Sequence, residues 1–343
     1  MNSQIIRTQT ISTAMGQMHI TEGQAADVID TIGKARAMNT KRAHESRLAV
    51  FRSWLAAQGM QLIDGVPVPA AVIVMYLCNR WDAGRKLNTI DADLASICYW
   101  HAEQGLESPS RDKAVRDCFA GLKRKTAESI RDGAADRAPV RADAAIGDVI
   151  RRMVNVIDAQ AANDSIRLRD RAMLLMGFAL GARRSELAAL RPEHIQWFPQ
   201  GIIVSIWAGK TGNRQSEAMY GDNPNMCPIV ALRAWMNHAG ITSGPIFRQI
   251  TITPRGNRRA VISEHGISGQ VVNRTIQKWA QAAGLESGRW TAHALRAGYA
   301  IQAELNGVPS SQSRAQTGHK NGVVHDGYVQ RARAFSVRRN ASL

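Results

Sequence analysis

The sequence predicts a mainly α-helical protein of two domains, with a small antiparallel β-sheet in the C-terminal one. Three observations predict it. Apolar residues recur at three- and four-residue steps through most of the chain. Only one long β-branched and aromatic run interrupts them, GIIVSIW at Gly201–Trp207, with a plausible partner strand at Ser216–Tyr220. Between Ser129 and Asp143 the text becomes SIRDGAADRAPVRAD, rich in small residues and mixed charge with no apolar period, which marks the domain boundary. With 343 residues and 45% hydrophobic content, the chain can bury one or two cores, and its length suggests about two domains.

Taken in order, the polar arm 1–23 is expected to be disordered and residues 24–128 to form a helical bundle. Asn39 or Thr40 caps a first helix carrying Leu48, Phe51, Trp54 and Leu55, ended by Gly59. A second follows Pro67 and Pro69 with Val72, Met75, Tyr76 and Trp81. A third runs from Asn88 or Thr89 to Gly105 with Ile90, Leu94, Ile97 and Trp100. Ser108 and Pro109 open a fourth, holding Val115, Phe119 and Leu122 on one face. After the linker 129–143, the domain 144–343 begins with helices at about 145–161 and 165–181. Gly181 breaks the second of these, and Ser185–Leu190 starts another. Beyond the strands, helices carry Ile229, Leu232 and Trp235, and then residues 268–283.

Lysine and arginine total 44 against 28 acidic residues, a formal charge of +16, which favours a polyanionic partner. Nucleic acid comes first and an anionic membrane surface second. No apolar run approaches the roughly 20 residues needed to span a bilayer, and the N-terminus lacks the apolar centre of a signal peptide. Cys78, Cys98, Cys118 and Cys227 lie far apart without a CxxC pair, which argues against a zinc site or disulfide framework and fits a reducing cytoplasm.

Several basic groups are placed to meet phosphates: Lys41, Arg42 and Arg47, then Arg85 and Lys86, then Lys123–Lys125. Each also reads as part of a solvated face, and their common sign carries the argument. The stretch from Arg248 to Arg259, with Arg255, Arg258 and Arg259 and no acid, reads as a DNA-facing loop. Arg274 and Lys278 share one side of a helix that suits a major groove; ordinary domain packing explains the same pattern.

In GARRSELAAL, Arg183 lies at a helix start, where its guanidinium and nearby N–H groups can face one anion, with Glu186 on the same side. Taken alone, the two also read as a surface charge pair. AGKTGNRQ presents Lys210 at a hairpin tip. It resembles the end of a phosphate-binding loop, but Val204 stands where that motif needs glycine and a strand follows in place of a helix, so nucleotide binding is rejected. Lys210 is either solvated or a flexible proton donor.

The stretch Arg289–Tyr328 carries the chemistry. It places His293 three residues before Arg296, then His319, then Tyr328 nine residues further on. A tyrosine with an ordinary pKa of about 10 is a poor nucleophile. Cations and hydrogen-bond donors gathered on a phosphate would help it by stabilising charge on the phosphorus oxygens. Tyr299 and Tyr220 are rival tyrosines, and His265 and His325 rival imidazoles; the spacing from Gly318-His319 favours Tyr328.

Together, GARRSELAAL, the hairpin lysine, HALR, GH and the tyrosine nine residues later resemble the signature of the tyrosine recombinase (phage integrase) family. The bundle, linker and basic second domain resemble its Cre-like members, a two-domain DNA clamp. Thr317 departs from the pattern, standing where many members have leucine. The resemblance implies that Tyr328 attacks a DNA phosphodiester, leaving a 3′-phosphotyrosyl link. Arg183, Arg296 and His319 would hold the phosphate, Lys210 would protonate the leaving oxygen, His293 would assist proton transfer, and Glu186 would support the site. It also implies double-stranded DNA as partner, a homotetramer on two target sites, no metal or other cofactor, and a bacterial or phage-encoded cytoplasmic protein. The basic tail after Tyr328, with Ala334, Phe335 and Val337, would pack into a neighbouring subunit or lie on DNA. Two other functions compete: a telomere-resolving or topoisomerase-like relative, and a DNA-binding protein whose site is silent.

Overall fold

The computed structural model describes residues 10–13, 16–19, 38–133, 144–208, 212–253, 260–285, 290–319, 322 and 326–327. The expectations for Lys210, Arg255, Arg258, Arg259, His325, Tyr328 and the tail lie outside those residues. The chain divides into two compact units, 1–140 and 141–343. As the sequence predicts, it is mainly helical with small antiparallel sheets.

Where a disordered arm is expected, β1 (Thr10–Thr13) and β2 (Gly16–His19) pair antiparallel, with Thr10 opposite His19. The β-branched Thr10, Ile11 and Thr13 suit a strand, a preference that polar composition hides.

Unit one holds α1 (Met38–Ala57), α2 (Ala70–Asp82), α3 (Leu87–Glu103) and α4 (Lys113–Arg131). Ser108 and Pro109 do not open α4. Pro109–Arg111 forms a 3-10 turn, and the Asp112 carboxylate caps the helix by accepting from the Ala114 N–H at 2.7 Å. Phe51, Leu55, Ile73, Tyr76, Leu77, Ile90, Ile97 and Val115 make the core, each such side chain contributing roughly 1.5–3 kcal/mol on burial. A charge sits beside it. Asp93, 2% exposed, accepts from Arg47 at 2.7 Å and Arg80 at 2.8 Å, fastening α3 to α1 and α2. Arg47, expected to meet phosphate, is thus also an internal ion-pair partner, with its side chain 34% exposed.

Unit two holds α5 (Gly147–Gln160), α6 (Asp164–Ala179), α7 (Arg184–Ala188), the strands β3 (Ile195–Phe198), β4 (Gly201–Ala208) and β5 (Gly212–Met219), and α8 (Pro228–His238). β6 (Arg248–Ile252), β7 (Ala260–Gly266), α9 (Gly269–Ala282), α10 (Ala292–Leu305) and α11 (Ser310–Thr317) follow. The sheet order is β3-β4-β5, antiparallel throughout. β3 was not anticipated because only Ile195 of its four residues is buried, which leaves no alternation to read. The expected loop from Arg248 is also corrected: Arg248 opens β6, which pairs with β7, and its guanidinium donates to the Pro245 carbonyl at 3.0 Å and the Ser243 carbonyl at 2.8 Å.

α6 runs through the middle of this core. Ala172–Met176 are buried with Leu232 and Trp235 of α8, Ile276 and Trp279 of α9, and the inward face of β4, Ile202, Val204 and Ile206. The Trp279 indole N–H donates to buried Asp170 at 2.7 Å, so α9 is fixed to α6 at one register. Gly298 on α10 lets the chain pass closely, because a Cβ there would lie 2.1 Å from the Ala145 carbonyl oxygen. The Ala145 N–H donates to the Ala294 carbonyl at 3.0 Å on the same helix, so the start of unit two is tied down on α10.

Candidate active site

The site begins where α6 stops. Gly181, at φ +52°, turns the chain, and Arg183 becomes the N-cap of α7 with Glu186 three residues on. The Glu186 carboxylate accepts from the Arg183 backbone N–H at 2.8 Å and from its guanidinium at 2.5 Å. The first bond is the reciprocal half of a capping box; the second fixes the direction of the arginine. Arg183 and Glu186 therefore form one unit and not an open surface pair, Glu186 being only 7% exposed.

Glu186 has a second cation that the sequence did not reveal. Arg214, on β5, donates to it at 2.7 Å, and also to Ser216 Oγ and to the Gln316 carbonyl. Burial alone would raise the Glu186 carboxyl, but the Arg183 N–H and the charges of Arg214 and Arg183 hold it below its ordinary value. Burial pulls Arg214 downward in turn, though a guanidinium remains charged. The signal was strand alternation: Arg214 shares the inward face with Ser216 and Ala218, and an inward charge needs a partner. A partner strand beginning only at Ser216 left Arg214 in the turn.

Arg296 comes from α10. It is 2% exposed, and Nη1 donates to the Gly181 carbonyl at 2.8 Å and to the Thr317 carbonyl. Arg183 Nη2 donates to the next carbonyl, Gly318, at 3.3 Å. Both arginines thus hold the same turn, the one that ends α11 and presents His319. Gly318 allows it by adopting φ +67°. A Cβ there would also come within 2.6 Å of Arg214 Cδ. Thr317 is fully buried; its hydroxyl lies 2.8 Å from the Ser313 carbonyl and 2.7 Å from His319 Nδ1.

His293 lies in the first turn of α10, its N–H donating to the N-cap Thr291 at 3.3 Å. Burial, then the positive charges of Arg296 and Arg183, hold its imidazole below the ordinary histidine value. The ring keeps open surface, so the two guanidiniums are the durable part of that effect. Arg183, Glu186, Arg296 and the His319 turn are brought together by direct bonds, and His293 by charge. Tyr299 packs edge-on to Phe178, and burial, then Glu217, raises its phenol, which weakens it as a rival nucleophile. Among the described residues, no group of histidine, cysteine and carboxylate side chains could hold a metal ion.

Of the expected DNA contacts, Arg42, Arg85, Arg274 and Lys278 are exposed, and Lys41 and Lys86 are half-buried. Arg274 and Lys278 stand one turn apart on α9, with the Lys278 ammonium 4.1 Å from the centre of the Trp279 ring.

A helical body, a three-stranded sheet and two arginines closed on a Gly-His turn define the class. The family model for the phage integrase family matches residues 147–334, and the chain belongs to that family, the tyrosine recombinases. Among curated proteins it is similar to an integrase/recombinase XerD homolog of Selenomonas ruminantium, 26% identical over 309 residues, covering 88% of this chain and 84% of the relative. Among solved structures it is similar to XerH site-specific recombinase bound to a palindromic difH substrate, with TM-score 0.58 and 13% identity over 92% of this chain and 84% of the other. A lambda integrase dimer bound to a COC' core site matches with TM-score 0.51 and 16% identity, over 90% and 77%. At these identities the likeness to the solved structures is one of fold. No described helix is long and apolar enough to cross a membrane.

Proposed function

We propose that this protein is a site-specific DNA recombinase that cuts and rejoins strands through Tyr328. The phenol oxygen attacks the phosphorus as its proton leaves with the help of His293, and a 3′-phosphotyrosyl bond forms. The bond from phosphorus to the 5′ oxygen breaks, and Lys210 supplies the proton that makes the 5′ hydroxyl. Arg183, Arg296 and His319 hold the non-bridging oxygens, and Glu186 keeps Arg183 aimed. The phosphoester is exchanged, not hydrolysed, so the chemistry calls for neither metal nor nucleotide.

The observation that carries this reading is the shared turn: Arg183 and Arg296, 113 residues apart, each donate to one of the two carbonyls immediately before His319. Fixed cations are worth most where water need not reorganise as charge develops. Unit one would be the core-binding domain and unit two the catalytic domain. Lys41, Arg42, Arg85, Lys86, Arg255, Arg258, Arg259, Arg274 and Lys278 would meet the DNA backbone. The enzyme would act in the cytoplasm as a homotetramer on two sites. A groove of about 820 Å3, lined in part by Phe178, Met219, Met226, Tyr299 and Val308, supports a seat for a neighbour's Phe335 and Val337.

The test is to mix the purified protein with fragments of its own replicon, denature with detergent, and look for DNA attached to protein, with Tyr328→Phe alongside. We expect an adduct with the wild type that the variant lacks, and sequencing the trapped DNA then reports the target. DNA binding without an adduct, even on nicked fragments, would leave the silent-site reading.

A further inference from the structure

We propose that Thr317 is a positioning residue that locks His319 in the tautomer carrying its hydrogen on Nδ1. That this matters to catalysis rests on the recombinase reading above; the lock itself does not. The argument is a count of protons. A carbonyl oxygen is only an acceptor, so a contact of 2.8 Å between the buried Thr317 hydroxyl and the Ser313 carbonyl needs the hydroxyl hydrogen between them. That hydrogen is the only one the hydroxyl has. Nδ1 of His319, 2.7 Å from the same hydroxyl oxygen, must then bring its own.

The consequence falls on the other ring nitrogen. In the neutral ring, Nε2 carries no hydrogen and is an acceptor, like the phosphate oxygens it is meant to bind. His319 therefore donates to phosphate from Nε2 only as imidazolium, so cleavage requires a proton at this ring and declines as pH rises through its titration. The cationic groups on the elements packed about this turn are Arg183 and Arg214 at Gly318, Arg296 at the Thr317 carbonyl and Arg314 one turn back on α11, with His293 on α10 beside Arg296 and Arg183. The acidic groups on the elements packed about this turn are Glu186, Glu217 on β5, and Asp326, which flanks Gly322 with Arg314.

Nitrogen NMR of the full chain with 15N-labelled histidine tests the lock without DNA, with His319→Asn identifying the signals. We expect a protonated Nδ1 and bare Nε2 in the neutral wild type, a switch to Nε2–H in Thr317→Val, and the wild-type pattern in Thr317→Ser. On trapped target DNA, Thr317→Val should lose the alkaline fall in cleavage that the wild type and Thr317→Ser show. An Nε2–H ring in the wild type, or an unchanged tautomer in Thr317→Val, overturns the proposal whether or not the variant is fully stable. The expected tautomers with no covalent adduct support the lock and overturn the recombinase reading instead.

Discussion

Glu186 and Arg214 meet at 2.7 Å although 28 residues separate them, and the same carboxylate grips Arg183. The contact joins α7 to β5. Arg214 also holds the Gln316 carbonyl, so one guanidinium ties three separate blocks of the site.

Arg214→Met should therefore cost more than its own contacts. It leaves Glu186 buried beside a single cation; breaking a buried pair outright costs about 3–5 kcal/mol, and the bonds kept with Arg183 hold the loss below that range. Urea denaturation of the full chain followed at unit two checks the stability loss. The covalent-adduct assay should show cleavage reduced more than DNA affinity, with Arg214→Lys restoring only part because it offers no planar fork. Equal stability of Arg214→Met and wild type would discount the bridge.

Gly318→Ala should damage the same place by geometry. The residue needs φ +67°, and the new Cβ would meet Arg214 Cδ at 2.6 Å. The backbone strain alone costs about 1–2 kcal/mol. A lower urea midpoint together with a loss of adduct of about 10²–10³-fold, the scale for removing one anion-stabilising donor, is the expected result.

Stability should depend on pH through His293 and Glu186 in the same sense. Both folded pKa values lie below the ordinary ones, so the unfolded chain binds more protons. The contribution of His293 is complete above its unfolded value of about 6.5, and is lost as pH falls through the lower folded value. Glu186 repeats this below about pH 4.3. Thermal midpoints from pH 8 to 2 should fall in two steps, the Glu186 step lying below about pH 4.3, and His293→Gln should remove the first; a variant with the wild-type profile would refute the assignment.

Asp93→Ala in unit one leaves Arg47 and Arg80 without the carboxylate that joins α1, α2 and α3. Hydrogen exchange should show protection lost across these helices, by up to about 3–5 kcal/mol, while α6 and α10 keep theirs. Uniform loss in both units would contradict two separate cores.

Arg274→Ala and Lys278→Ala should each weaken DNA binding evenly across sequences and lower the slope of log affinity against log salt by about 1. A titration from low to physiological salt reads this directly, and an unchanged slope would remove α9 from the phosphate-facing surface.

Helix-forming periods were legible in the sequence, because each depends on residues a few positions apart; the break expected at 129–143 begins inside α4, which runs to Arg131, and the ordered set of Arg183, His293, Arg296, His319 and Tyr328 came from a family resemblance. What only the tertiary structure decided concerns partners. Arg47 read only as a group that could meet phosphate, and its bond to Asp93, 46 residues on, came from the fold. Arg248 looked like a loop residue until β7 paired with its strand. Arg214 passed as part of a turn, and Thr317 as a harmless departure, until Glu186 and His319 were placed beside them. A buried charge or hydroxyl is defined by what satisfies it, and satisfaction at a distance along the chain leaves no local period. The sequence determined which groups this protein carries, and folding decided which of them hold one another.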